Sequence, residues 1–124
     1  MPFAANCPEA DCPPADAEAV RGDVIRFVRS NPPTAADMRT YADDGRQGDD
    51  GCRACALSVL RRVEDVPLAR KAMPWFKKRL VAKATLSPAH GRILQTGPNK
   101  WHFSFWVEAG HAGTIHQSFT VVAA

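Results

Sequence analysis

An α+β fold, with helices first and an antiparallel sheet last, is predicted by a change of hydrophobic period along the chain and by its size. Between residues 16 and 73 the apolar residues recur at helical spacing, and from about residue 91 they alternate with period two. At 124 residues with 45% hydrophobic content the chain can bury one ordinary core and hardly two. The expectation is an extended arm over residues 1–15, then a single domain over 16–124. In it, N-terminal helices pack on a C-terminal antiparallel sheet of three or more strands.

The arm is rich in Pro, Ala and acids and lacks apolar periodicity. From Asp16, an N-cap residue type, Val20, Val24, Phe27 and Val28 fall on one helical face, and the run must stop before Pro32 and Pro33. Thr34 can cap a short helix through Met38 and Tyr41, after which DDGRQGDDG is a polar loop. Cys52, Cys55, Ala56, Val59, Leu60 and Val63 then form a helical stripe whose N-terminus falls near Asp50 or Gly51. Another helix is predicted from Asp65, with Pro67 in its first turn and Pro74 ending or kinking it; residues 75–86 are ambiguous. After SPAHG come three strands: RILQT, WHFSFWVEA and TIHQSFTVV. In the middle one Trp101, Phe103, Phe105 and Val107 take one face, and His102, Ser104, Trp106 and Glu108 the other.

Charge is divided unevenly, −5 over residues 1–50 and +8 over residues 51–124. Much of the positive charge lies in Arg70, Lys71, Lys77, Lys78, Arg79 and Lys83, which reads most simply as a solvated helix face. No run reaches the about 18 apolar residues a membrane helix needs, and no Sec signal opens the chain. A cytoplasmic location, or export by a route without an N-terminal signal, is expected, with no membrane contact. Four cysteines are then reduced thiols, and a disulfide framework is disfavoured.

Cys52 stands where a thiol has a physical reason to react. In the first turn of a helix, unpaired amides and the positive dipole end stabilise a thiolate. Asp49 and Asp50 oppose that shift, so an imidazolium is needed nearby. His102 and His116 are an even number of residues apart. A three-residue turn over 108–110 would place them opposite each other, with Phe103 opposite Ile115 on the other face.

Tyr41, the GC at 51 and 52, VPLAR, WHFSFWV and TIHQS together resemble the NlpC/P60 branch of papain-like cysteine hydrolases. GCRACALSVL and IHQ also look like segments of papain-fold toxin domains, some of them glutamine deamidases. Arg53, Ala54 and Gly51 depart from the NlpC/P60 pattern, which typically has Ser, Gly and Asp at those places. The resemblance implies a bacterial thiol amide hydrolase or toxin-like effector with Cys52, His102 and His116 as catalytic residues. Tyr41 or Gln47 would assist the backbone amide of Cys52 in holding the oxyanion. It further implies a peptide or peptidoglycan-like substrate, an immunity or other partner protein, and no cofactor.

Other readings stay open. Cysteines on an apolar stripe are often plain packing, and packing is the preferred role for Cys55. Cys7, Cys12, Cys52 and Cys55 also make a four-thiolate set with one CxxC spacing, suited to zinc. A CxxC redox pair lacks a thioredoxin-like preceding strand. Nucleic acid is not expected as a partner, because Trp101, Phe103 and Phe105 alternate as core residues do. The alternative function is a small noncatalytic interaction or inhibitor domain, with or without a four-cysteine zinc site.

Overall fold

The computed structural model describes residues 3, 6–8, 10–46, 48 and 50–123, and over these the chain is α+β, built on two antiparallel sheets. The strands are β1 (Glu18–Ala19), β2 (Gly22–Val28), β3 (Leu57–Val59), β4 (Leu80–Leu86), β5 (Gly91–Gln95), β6 (Phe103–Val107) and β7 (Thr120–Val122). Three short helices, α1 (Gly51–Ala54), α2 (Val66–Ala72) and α3 (Ala109–Ala112), and several 3-10 turns connect them. One sheet has the order β1-β5-β6-β3 and the other β2-β4-β7. No helix among the described residues is long and apolar enough to cross a membrane.

The two sheets share the main core. Val20, Val24, Val28, Ala82 and Ala84 from one side meet Leu57, Val59, Ile93 and Phe105 from the other. Behind the three-stranded sheet, Val66 and Ala69 of α2 cover Ile25 and Val81. Behind the four-stranded sheet, the wholly buried Trp106 packs with Ala17, Ala56, Cys7 and Cys55.

The first expected helix is strand instead, and the reason lies in the spacing. Val20, Val24 and Val28 are separated by four residues, an interval that leaves side chains on one face in a strand as well as in a helix. Ile25 and Phe27 point to the opposite side, toward α2, so β2 is apolar on both faces. Its β-branched content then favours the extended form. The stripe from Cys52 to Val63 is corrected in the same way. Only Gly51–Ala54 is helical, and Leu57 and Val59 are buried around the exposed Ser58, which is strand alternation. Helical expectations elsewhere fare better: α2 starts with Pro67 in its first turn and is followed by Pro74, which opens a 3-10 turn, Pro74–Lys78. The ambiguous stretch after it becomes this turn and β4.

The hairpin expected between the last two strands does not form. Strand β6 is central, with β5 on one edge (Ile93 opposite Phe105) and β3 on the other (Ser58 opposite Ser104). Both hydrogen-bonding edges are therefore occupied, and β7 pairs with β4 in the other sheet. The chain is diverted at Glu108, whose carboxylate accepts from the Gly110 N–H at 3.0 Å and caps α3. Of the predicted third strand, residues 114–122, Ile115–Ser118 is consequently a 3-10 turn and Thr120–Val122 is strand, while α3 occupies the expected reversal before it. Within β6 the predicted alternation is seen: Phe103, Phe105 and Val107 face the main core, while Trp106 faces the opposite side. Trp101 is the exception, leaving that face to pack with the α2 cluster.

Candidate functional site

Two features stand out, a four-cysteine cluster and an aromatic cleft; of the residues expected to form one site, Cys52 belongs to the first, Tyr41 and His102 to the second, and His116 to neither. Cys52 opens α1, where Asp50 is the N-cap and its carboxylate accepts from the Arg53 N–H at 3.0 Å. Its sulfur is not a free nucleophile, because Cys52 is disulfide-bonded to Cys12 and Cys55 to Cys7. This corrects the expectation of four reduced thiols. The paired Cα atoms lie 5.5 and 5.4 Å apart, so the bonds staple the N-terminal arm to α1 and to the residue after it. From behind, the Trp106 indole N–H donates to the Cys52 carbonyl at 2.8 Å.

His102 is held elsewhere. Its Nδ1 lies 3.2 Å from the Thr96 carbonyl and 3.1 Å from the Thr96 hydroxyl, and its Nε2 lies 3.1 Å from Ser58 Oγ. A carbonyl can only accept, so this network places the ring proton on Nδ1 and leaves Nε2 to accept from the Ser58 hydroxyl. Burial lowers the His102 pKa below its ordinary value; the Thr96 carbonyl acts in the opposite direction, and the positive charge of Arg53 adds to the lowering. The ring is thus a neutral, doubly anchored group rather than an imidazolium. His116 sits on the 3-10 turn Ile115–Ser118, and its buried Nδ1 has no hydrogen-bond partner among the described residues. Because no β6–β7 hairpin exists, the predicted opposition of His102 and His116 is lost. Gln47 lies outside the described residues.

Of the predicted residues only Tyr41 and His102 meet. They line two adjoining hollows of about 250 and 490 Å³ that also share Ser58, Met73 and Trp101. The first is walled by Phe27, Phe76 and Trp75, and the second by Arg46, Arg53 and the turn after β5. Phe27 and Phe76 stack with centroids 4.2 Å apart, and the Arg46 guanidinium lies 5.1 Å from the Tyr41 ring centre. Tyr41 is 55% and Trp75 58% exposed, so two large aromatic side chains stand at the mouth with much of their surface in water.

Arg26 braces the wall. From β2 it donates to the carbonyls of Asp37 (2.9 Å), Ser58 (2.8 Å) and Arg39 (3.3 Å), tying β2 to β3 and to the segment that carries Tyr41. Burial brings its pKa down to about 10, which leaves it charged at neutral pH. Asp37 in turn accepts from the backbone N–H groups of Arg29 and Thr34 at 2.7 and 2.9 Å. Sequence reasoning missed Trp75, Ser58 and Arg26. The one available signal was an aromatic residue directly after Pro74 in the stretch that fitted neither helix nor strand. No family model, curated protein or solved structure matches this chain.

Proposed function

We propose that this chain is a small noncatalytic interaction domain that receives an apolar side chain of an acidic partner segment in the cleft beside Tyr41 and Trp75. One observation carries the reading: both rings are more than half exposed at the rim of a largely apolar hollow of about 250 Å³. Exposed Trp and Tyr at a concave site are the side chains that dominate binding energy at protein interfaces, and Met73 adds an adaptable wall. Four arginines, Arg26, Arg39, Arg46 and Arg53, line the two hollows against two aspartates, Asp44 and Asp50, which favours an anionic partner. The thiol-hydrolase arrangement implied by the NlpC/P60-like and toxin-like resemblance is not carried forward, because Cys52 shares its sulfur with Cys12 while His102 is anchored by Thr96 and Ser58.

The test is selection of displayed random peptides on the purified domain, followed by calorimetry. Peptides with an aromatic or aliphatic residue flanked by Asp or Glu are expected, and Trp75→Ala or Arg53→Glu weakens them. Selected peptides that bind both variants as tightly as the wild type defeat the proposal. In parallel, the reduced protein is treated with a thiol-directed probe. Labelling of Cys52 that depends on His102 restores the hydrolase reading at the expense of this one.

A further inference from the structure

The two disulfides lie side by side, and three of their four sulfurs form one compact group. Across the two disulfides, Cys12 Sγ and Cys55 Sγ approach to 3.9 Å, and the sulfurs of Cys7, Cys12 and Cys55 lie within 4.8 Å of one another. Cys52 is bonded to Cys12 and stands outside that three-sulfur group, so its side chain must turn inward to make a fourth ligand. Tetrahedral zinc with bonds of about 2.3 Å separates its sulfurs by about 3.8 Å, close to the spacing already present between the unbonded pair.

We propose that this cluster is a structural zinc site of four thiolates, and that the paired disulfides are its oxidised, metal-free counterpart. Three observations support it independently of the cleft. Two ligands, Cys52 and Cys55, come from a CxxC segment, and two, Cys7 and Cys12, from the CPEADC of the arm. Either closure joins the same two segments, so exchange needs rotation of side chains and small shifts of the arm rather than a different fold. The site is half enclosed: Cys7 and Cys55 are buried against Trp106, Ala17 and Ala56, Cys12 and Cys52 are partly buried beside them, and the Trp106 indole fixes the Cys52 carbonyl.

The chemistry balances through ordinary steps. Each disulfide takes two electrons and two protons on reduction by a phosphine, which leaves as its oxide with an oxygen from water. The four thiols then release four protons as they bind one Zn2+ as thiolates. A dithiol reductant gives the same thiols by exchange and is itself oxidised to a disulfide.

The full chain, reduced with a water-soluble phosphine under nitrogen, is titrated with Co2+ and then with Zn2+. One equivalent of Co2+ is expected to give the intense visible bands of a tetrahedral site and thiolate-to-cobalt charge transfer, and one equivalent of Zn2+ to abolish both. Replacing Cys7 or Cys52 with serine is expected to weaken the charge-transfer band, as fits loss of one of four sulfur ligands. Since either variant could fail to fold, wild-type protein purified anaerobically from zinc-replete cells supplies a second measurement. Close to one zinc per chain, with four thiols alkylated after denaturation, supports the site. Two disulfides and no zinc in that preparation, or no cobalt bands from the reduced chain, overturn it.

Discussion

His102 Nε2 and Ser58 Oγ lie 3.1 Å apart, joining the residue that precedes β6 to the middle of β3 at the floor of the cleft. With Nδ1 turned to the Thr96 carbonyl, the imidazole is used as a neutral bridge between β3 and the turn after β5. Protonation would reverse this contact, with Nε2–H donating to the Ser58 hydroxyl oxygen, so what opposes the charged ring is its burial and the nearby charge of Arg53.

The pH dependence follows from the direction of the shift. The folded His102 pKa is below the unfolded value of 6.5, so the unfolded chain binds more protons between the two values. This group's contribution is complete above about pH 6.5 and is lost as pH falls through the lowered folded value. Imidazole carbon shifts followed by NMR should titrate below 6.5, and denaturant midpoints should decline over that range in the wild type but not in His102→Gln on account of this group. A folded pKa at or above 6.5 would contradict the anchored neutral ring.

Trp75 separates binding from stability. At 58% exposure its indole contributes little to the core, so Trp75→Ala is expected to change unfolding free energy by no more than about 1 kcal/mol. Loss of an aromatic anchor costs about 2 kcal/mol in binding, roughly thirtyfold in affinity for a selected acidic peptide. Urea unfolding and calorimetry on the same preparation read the two quantities. Equal losses in both would mean that Trp75 is a folding residue.

Asp37 tests the support behind the cleft. Burial by itself would raise its pKa, but the Arg29 and Thr34 N–H donors, the Thr34 hydroxyl and the charge of Arg26 outweigh it, and the net shift is downward from 3.8. Its stabilising contribution is therefore present above the unfolded value and is lost as pH falls through the lower folded one. Asp37→Ala leaves two backbone N–H groups without their acceptor and should cost about 2–3 kcal/mol in urea unfolding. The loss should shrink in acid, where the wild-type carboxylate is also protonated.

How much of this was readable beforehand depends on what a residue needed from distant partners. Helix α2 was legible because Pro67 and Pro74 act locally on the backbone. The alternation through β6 was legible because both of its faces are covered in the expected order. Strand β2 was not, since Val20, Val24 and Val28 satisfy both periods and only Ile25 and Phe27, packed against a helix forty residues later, break the tie. The candidate site failed for a related reason. Spacing correctly set Cys52 in a helical turn and grouped it with Cys12 only as a fellow metal ligand, not as a disulfide partner, and the turn over 108–110 was expected of a hairpin that the occupied edges of β6 exclude. Trp75 and Ser58 become a site only when β3 and the Pro74–Lys78 turn are folded beside each other.

The close approach at Gly91 yields the sharpest test of the fold. This residue starts β5 with φ +147°, opposite Val107, and its carbonyl accepts from the Val20 N–H at 2.9 Å. A Cβ there would overlap the Trp106 carbonyl oxygen and come within 3.1 Å of the Phe105 ring, both fixed by the core. Gly45 is a control: its φ is +73°, but a Cβ would meet nothing within 4 Å. Gly45→Ala should therefore cost only the backbone penalty, about 1–2 kcal/mol. Gly91→Ala adds backbone overlap that no rotamer can relieve, and about 3 kcal/mol or more is expected. Urea unfolding of the two variants measures the difference directly. If Gly91→Ala is no more costly than Gly45→Ala, β5 does not approach β6 as closely at this point as the register requires, and the placement of Trp106 behind the cysteine cluster falls with it.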